Sequence, residues 1–330
     1  MVNEESNMLG KLKIRSEDIA FRSDQLVSCS KCGKANPPNR AGCLYCGSAL
    51  EFASVEPGAI KLNLRRLETW ENGHNVVLTE RVGEVNSNAV AQYFAYEPEQ
   101  AERMLRAVDP FPLARLESRS EAELAQKYLA SIGIATKVVS DVDLKIGKPN
   151  TRLRSIKFVE DAVHLTAFNT GEQQSIKNSD IVLIVVGALI ETRTEAIEKR
   201  KKGGRQLVDQ TATSSDDLLI DIYGRSAGPG WRISSRGFDF SGLGNEKGLL
   251  AAENIRRILE KLRLLLPALR FVDDYRRVIG PLSDVWEIEQ TKDFEGLKRP
   301  LFGKSGFSSV VRTSNLEQFS KYSRLQQIIL

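Results

Sequence analysis

The apolar positions of residues 61–142 alternate between strand spacing and helix spacing. Short apolar runs predict strands at 61–70, 75–79, 111–117 and 134–142. Apolar residues three and four positions apart predict helices over 87–108 and 120–132. Pro98 divides the first helical stretch in two, because proline is favoured in the first turn of a helix. The predicted order is β-α-α-β-α-β, which indicates a small α/β layer.

From residue 150 onward, apolar and polar positions alternate, as half-buried strands require. The alternating apolar positions are Ile156/Phe158, Val163/Leu165/Ala167, Leu218/Ile220/Ile222 and Trp231/Ile233. Residues 180–191 are apolar on both faces and predict a central strand. Leu249–Leu266 carries one apolar stripe at helical spacing before Pro267, so it predicts an amphipathic helix.

The C-terminal residues predict one more helix. Ser314 and Glu317 have the spacing of a capping box. The apolar stripe that follows consists of Leu316, Phe319, Tyr322, Leu325, Ile328 and Ile329. We expect this stripe to dock back on the body of the protein; the alternative is that it fits the groove of a partner.

Composition indicates a folded protein of two or three domains. The chain has 330 residues, of which 41% are hydrophobic and 27% charged. Its 47 basic and 43 acidic residues nearly cancel, which disfavours a single dominant nucleic-acid-binding face. The longest apolar run, 181–190, is shorter than the roughly 20 residues that span a bilayer. Because residues 1–24 lack a signal-peptide pattern and cysteines are confined to one short window, we expect a cytoplasmic protein.

All four cysteines lie in residues 28–50, SCSKCGKANPPNRAGCLYCGSAL. Cys29 and Cys32 form one C-x2-C pair, and Cys43 and Cys46 form another. Two such pairs facing each other supply the four thiolates of a tetrahedral structural Zn²⁺ site. Since four thiolates leave no open coordination position, we expect one structural zinc ion and no hydrolysis there. Two disulfides or a redox pair are the alternatives.

The pattern C-x2-C-G-x-x-N-P-P followed by a second C-x2-C-G resembles the short zinc ribbons of bacterial proteins. With Asn36 between the cysteine pairs, the segment is also similar to the Ran-binding-protein type of zinc finger. The second resemblance implies RNA contacts by Asn36, Arg40 and Tyr45, but the ribbon lacks the tryptophan that stacks between bases. A rigid protein-docking surface, with the same three residues as candidate partner-binding residues, is the interpretation we favour.

Two further resemblances concern the rest of the chain. The stretches VVLTE, AERMLRAV and AELAQKYLASIGIATKVVSD resemble, in their order, the ClpS adaptor and the C-terminal domain of the ribosomal stalk protein. This resemblance implies a docking module; residues 80–88, ERVGEVNSN, lack the Asn/Asp-rich stretch that grips a degron. The stretches NSDIVLIVVG and WRISSRGFDFSGLG resemble a pleckstrin-homology-like domain, which implies an antiparallel barrel or sandwich capped by a C-terminal helix.

These observations predict an α+β multidomain protein. Its expected parts are a flexible N-terminal segment (1–25), a zinc ribbon (26–54), a ClpS-like α/β domain (55–146), a pleckstrin-homology-like β domain with its capping helix (147–267) and an extension with a terminal amphipathic helix (268–330).

A basic run, EKRKKGGRQ, is predicted to form a loop that continues through the polar residues 209–217. Its cations are Lys199, Arg200, Lys201, Lys202 and Arg205. The pleckstrin-homology resemblance implies that such a loop binds phosphates or an acidic membrane surface. The alternative is a solvated end of a hairpin.

No catalytic constellation is recognisable. His74 and His164 are the only histidines, and cysteines bound to zinc cannot form a Cys–His nucleophile pair. We therefore expect no enzyme activity. The predicted function is that of a non-catalytic adaptor or scaffold for protein partners, and the alternative is an RNA- or ribosome-associated protein.

Overall fold

A computed structural model of the protein describes most of the chain. The described residues are 26–37, 42–48, 50, 64–83, 87–144, 147–201, 204–226, 228–266, 269–296 and 306–330. The chain divides into two compact units, Met1–Leu62 and Asn63–Leu330. The predicted flexible segment 1–25 lies outside the described residues. The domain boundaries predicted at 146 and 267 both lie inside the second unit.

The first unit contains a two-stranded antiparallel sheet. Strand β1 (Val27–Ser28) pairs with β2 (Ala35–Asn36), and the chain between them holds the first cysteine pair. Among the described residues of this unit, the core consists of Cys29, Cys43 and Leu50, with Val27 packed against it. A core this small does not by itself fold a segment of this length. The four cysteines therefore decide its structure.

The second unit begins with the α/β layer that the sequence predicts. Its elements are β3 (His74–Leu78), α1 (Ser87–Phe94), α2 (Pro98–Leu105), β4 (Phe111–Leu116), α3 (Arg119–Ser131) and β5 (Thr136–Ser140). The predicted β-α-α-β-α-β order is confirmed, with Pro98 in the first turn of α2. The three strands form an antiparallel sheet in the order β4-β3-β5.

The strand predicted over 61–70 is not formed at residues 64–70. Arg65 instead binds both carboxylate oxygens of Glu71, at 2.8 and 2.7 Å. Glu71 also accepts a hydrogen bond from the Glu68 backbone N–H at 2.8 Å. These bonds hold a turn in place of a strand.

The other described strands of the second unit form one nine-stranded sheet. Its strands are β6 (Thr151–Phe158), β7 (Ala162–Ala167), β8 (Gln173–Lys177), β9 (Ile181–Lys201), β10 (Gly204–Gly224), β11 (Trp231–Ser234), β12 (Arg270–Val272), β13 (Glu289–Gly296) and β14 (Gly306–Ser314). The order is β13-β14-β9-β10-β11-β6-β7-β8, and β12 pairs with β9. The predicted central strand is β9.

This sheet is open, so the expected pleckstrin-homology-like barrel is wrong. A barrel requires its first and last strands to pair, whereas β8 and β13 lie at opposite ends of the strand order. The predicted capping helix does form, as α4 (Ala251–Leu265). Its apolar stripe packs on the sheet, where Ile255, Ile258 and Leu262 are buried against strand residues that include Ile220.

The basic run does not form the predicted loop. Lys199, Arg200 and Lys201 belong to β9, and the Arg205 backbone in β10 pairs with Arg200. Lys202 lies outside the described residues. The polar residues that were expected to continue the loop are also in β10, because β10 pairs with β9 from Gly204 to Gly224. The run is therefore the end of a long β9–β10 hairpin.

The terminal helix, α6 (Leu316–Ile329), docks on the body as expected. Phe319, Tyr322 and Leu325 are fully buried. Gly187 of β9 makes room for the Phe319 ring, because a Cβ at this position would lie 2.2 Å from a ring carbon. The predicted cap residue is wrong: Asn315 occupies the N-cap, and Ser314 only accepts a 3.3 Å hydrogen bond from the Leu316 N–H.

Buried hydrogen bonds join the α/β layer to the region around α5 (Tyr275–Ser283). Trp286, just after α5, donates from Nε1 to Asn75 Oδ1 of β3 at 2.9 Å. The Asn75 amide donates to Asp141 at 2.8 Å, and Arg115 Nε donates to the same carboxylate at 2.8 Å. The bond between Trp286 and Asn75 thus connects the α/β layer to the α5 region. In the part of the chain that the structure describes, no helix has both the length and the apolar character needed to cross a membrane.

Candidate metal centre

Two knuckles of the same backbone design hold the four cysteines. In the first, the Gly33 N–H donates to the Cys29 carbonyl at 2.8 Å, and the Cys29 N–H donates to Lys34 at 3.0 Å. In the second, the Gly47 N–H donates to Cys43 at 2.9 Å, and the Cys43 N–H donates to Ser48 at 2.8 Å. Gly33 and Gly47 have φ values of +69° and +70°, a conformation that favours glycine. The glycine after each cysteine pair thus closes the turn.

The sulfur atoms of Cys29, Cys32, Cys43 and Cys46 all lie within 4.8 Å of one another. Cys29 and Cys46 are 3.6 Å apart, and Cys32 and Cys43 are 3.5 Å apart. A disulfide requires about 2.05 Å, so neither pair is bonded. A tetrahedron with Zn–S bonds of about 2.3 Å has S···S edges of about 3.8 Å. The four sulfurs therefore fit one tetrahedral metal ion of zinc's size.

Asn36 lies between the two knuckles and is fully buried. Its amide nitrogen donates to the Lys34 carbonyl at 2.8 Å and to Cys43 Sγ at 3.4 Å, and its carbonyl oxygen accepts from the Leu44 N–H at 2.8 Å. All its polar contacts are thus inside the ribbon. Asn36 supports a metal ligand, and its side chain is not exposed to a partner as the sequence interpretation proposed.

Hydrogen bonds to sulfur adjust the acidity of the thiols. Burial opposes ionisation of Cys43, but the N–H groups of Tyr45 and Cys46 and the Asn36 amide lower its pKa to about 6. The hydroxyl and N–H of Ser48 lower the pKa of Cys46. Low pKa values favour the thiolate, which is the form that binds metals.

Cys32 behaves in the opposite way. The Lys34 N–H lowers the pKa of Cys32, but burial and the three neighbouring sulfurs outweigh it and raise the value to about 12. A further negative charge beside other thiolates is unfavourable unless a cation compensates it. The full set of four thiolates therefore requires a cation such as Zn²⁺ at the centre.

The two knuckles differ in the residues that they expose. Between its cysteines the first has Ser30 and Lys31, and the second has Leu44 and Tyr45. The exposed fractions of Leu44 and Tyr45 are 53% and 58%. Lys34 Nζ lies 4.4 Å from the centre of the Tyr45 ring, within cation–π distance. Tyr45 is among the candidates predicted from the sequence, but Leu44 is not. Leu44 could have been identified as an apolar residue next to Cys43 in a segment with few core residues.

The other candidate residues are not brought to this centre by the described structure. Arg40 lies outside the described residues. Lys199, Arg200, Lys201 and Arg205 belong to the second unit, where their backbone is in the β9–β10 hairpin.

The two histidines also lie in strands of the second unit. His74 begins β3, and its buried Nδ1 has no hydrogen-bond partner among the described residues. His164 is an exposed residue of β7.

Comparisons of the chain with protein-family models, with curated proteins and with solved structures each gave no match. The assignment of the site therefore rests on its own geometry: the four cysteines can hold a metal ion of zinc's size.

Proposed function

We propose that the protein is a non-catalytic adaptor whose zinc ribbon presents Leu44 and Tyr45 to a partner protein. The observation that carries the proposal is the exposure of two large apolar side chains between two metal ligands. Cys43 and Cys46 would fix the backbone on both sides of the pair, so little conformational entropy would be lost on binding. Exposed aromatic and aliphatic side chains on a rigid turn are typical anchors of protein interfaces.

The chemistry of the centre supports a structural role for the metal. Four thiolates fill the coordination sphere of zinc, and no position remains for a substrate or an activated water. The α/β layer of the second unit agrees with an adaptor, because its element order is the one for which the ClpS resemblance implies a docking module. Zinc in turn would supply the folding energy that the small ribbon core lacks.

The partner should combine an apolar pocket with acidic surroundings. In the sequence, residues 26–50 contain Lys31, Lys34 and Arg40 and no acidic residue. An acidic rim around a pocket for Leu44 and Tyr45 would complement this charge.

The first test concerns the metal. The purified chain should contain one zinc per molecule, and Cys29→Ser should lose it while residues 63–330 keep their melting temperature. Retention of one equivalent of zinc by the variant would contradict the four-thiolate site.

The second test concerns the partner. Leu44→Ser/Tyr45→Lys gives the second knuckle the residue types of the first, so it should keep zinc but lose a protein captured from lysate in the presence of nuclease. Ser30→Ala/Lys31→Ala is the matched control and should retain that protein. Equal capture by both variants would refute docking through Leu44 and Tyr45.

RNA association is the second candidate, and the Lys34–Tyr45 pair favours it. An exposed aromatic ring beside a cation can stack a base while the cation binds a phosphate. In that case the captured material would disappear after nuclease treatment, and binding would weaken as salt increases.

A further inference from the structure

One edge of the large sheet is open along much of its length. Strand β10 pairs with β9 from Gly204 to Gly224, but on its other side β11 covers only Leu219–Ile222. Among the described residues, no strand pairs with the outer side of β10 before Leu219. Residues 210–214 are all exposed. Because successive residues of a strand point to opposite faces, both faces of the sheet are exposed here. This part of β10 is therefore open at its edge and on both faces.

The two edges of the extended part of the sheet differ in chemistry. The opposite edge strand, β13, carries Glu289, Lys292 and Asp293, and charges of this kind oppose unwanted strand pairing. Gln210–Ser215 of β10 has the sequence QTATSS, with no charge, no proline and no glycine. Its threonines are β-branched and suit a strand. The β10 edge thus lacks the protection that the β13 edge has.

We propose that Gln210–Ser215 binds an extended segment of a partner protein as an additional strand of the sheet. Backbone N–H and C=O groups of an edge strand alternate between the two sides, so about half of those in this segment point outward and can bond an added strand. This docking surface is in the second unit and does not depend on the zinc ribbon.

The face of β10 next to this edge offers contacts for the side chains of the added strand. Thr211, Thr213 and Ser215 line a concave surface of about 580 Å³, together with two arginines and three glutamates: Arg193, Arg312, Glu191, Glu195 and Glu289. Alternate side chains of an added strand would project onto the same face as these groups. Hydroxyl, carboxylate and guanidinium groups favour polar side chains at those positions of the partner.

Charge indicates what flanks the partner segment. Asp216, which follows the uncharged residues directly, is exposed. A partner segment with lysine or arginine opposite Asp216 would place opposite charges across the strands. A second copy would instead offer the uncharged residues Gln210–Ser215 and Asp216 again, and these supply no cation for that carboxylate. The occupant is therefore a basic-flanked segment of another protein.

The test uses the full chain and a synthetic peptide of about twelve residues, in which alternating threonine and valine are flanked by two lysines at each end. Two further peptides carry N-methyl groups on alternate residues, one on the odd-numbered and the other on the even-numbered residues. In one of these two peptides the methyl groups replace the N–H groups that point toward β10. That peptide should bind at least about tenfold more weakly than the other. Bound peptide should also slow amide hydrogen exchange within 210–215.

Variants of the two edges supply the matched controls. Thr213→Lys should weaken peptide binding, because it sets a cation on the β10 edge opposite a basic peptide. Gln290→Lys makes the same change on β13, at an exposed position that does not line the concave surface, and should leave binding unchanged. Leu44→Ser/Tyr45→Lys should also leave it unchanged, which separates this inference from the proposed role of the ribbon.

Three results would overturn the proposal. The first is equal affinity for both N-methylated peptides, since a backbone ladder cannot tolerate both. The second is the absence of peptide binding or of slowed exchange at 210–215. The third is slowed exchange there that grows with protein concentration when no peptide is present, which would show that a second copy occupies the edge.

Discussion

Asn36 of β2 and Cys43 of the second knuckle are joined by a 3.4 Å hydrogen bond from the Asn36 amide to the Cys43 sulfur. The other polar atom of the same side chain accepts from the Leu44 N–H, one residue beyond the ligand. One buried amide therefore connects the two knuckles, because it also donates to the Lys34 carbonyl at 2.8 Å. Removal of a group that orients a ligand in this way typically lowers metal affinity about 10–100-fold.

Replacing Asn36 with alanine should lower zinc affinity about 10–100-fold, because Cys43 loses a donor and the knuckles lose their common contact. Competition with a chromophoric chelator measures this change. Ser30→Ala, an exposed position in the first knuckle, is the control and should leave affinity unchanged. If the two variants bind zinc equally well, Asn36 has no supporting role.

Local patterns were sufficient to predict the element order of the α/β layer and the four cysteines that can hold a metal ion. The helical spacing of apolar residues and the position of Pro98 predicted α1 and α2, because each of these helices buries one face. The C-x2-C spacing identified the four sulfurs, since ligand geometry restricts which residues can be close. Both depend on residues that are near in sequence.

Features that depend on distant residues could not be predicted. The polar part of β10, such as Thr211 and Thr213, has no apolar alternation, and it forms a strand because it pairs with β9. Asn315 caps α6 while its side chain binds the backbone of β9, at the Ile190 N–H and the Ala188 carbonyl. Ser314 has the expected capping-box spacing from Glu317, but the hydrogen bonds of Asn315 to β9 make Asn315 the N-cap residue.

Gly187→Ala should destabilise the second unit. The added methyl group would lie 2.2 Å from a carbon of the Phe319 ring, and both residues are held by packed elements. Overpacking of this kind costs about 1–3 kcal/mol or more of unfolding free energy. Gly83→Ala is the control, because this exposed glycine has no positive φ and nothing lies within 4 Å of a Cβ there. That change should leave stability unchanged or raise it by about 0.4–1 kcal/mol. Denaturant unfolding measures both, and a neutral Gly187→Ala would show that Phe319 can move away.

Asp109 should make stability depend on pH. Burial, and then the neighbouring Asp274 carboxylate, raise the pKa of Asp109 to about 6, although Arg270 lies 3.4 Å away. In the unfolded chain the pKa of an aspartate is about 3.9. Between about pH 4 and 6 the folded protein therefore holds a proton that the unfolded chain has released. The free energy of unfolding should decrease as the pH rises through this window.

Asp109→Asn removes this dependence and should raise stability at pH 7 by about 1–2 kcal/mol, because no charge is then buried beside Asp274. Urea unfolding at pH 4.5 and 7, followed by tryptophan fluorescence, reports on the second unit alone, since the tryptophans are at 70, 231 and 286. The exposed Asp161→Asn is the control. A pH dependence that persists unchanged in Asp109→Asn would assign the proton to another group.

Arg232 and Asp221 form a buried ion pair between β11 and β10. Arg232 donates to both carboxylate oxygens at 2.6 Å, and Asp221 is fully buried. Arg232 also donates to Ser320 of α6 at 3.0 Å, so the pair connects the sheet to the terminal helix. Arg232→Met leaves the carboxylate buried without its cation and should cost about 3–5 kcal/mol of unfolding free energy.

The double variant Arg232→Met/Asp221→Leu should be more stable than Arg232→Met alone, because the unpaired charge is removed together with its partner. Arg236→Met is the surface control. It breaks an ion pair with Glu191 whose side chains are 51% and 37% exposed, and it should cost only about 0–1 kcal/mol. Denaturant unfolding of the four proteins completes the comparison. If the double variant is less stable than Arg232→Met, Asp221 stabilises the fold even without Arg232, and an unpaired buried charge does not explain the cost of Arg232→Met.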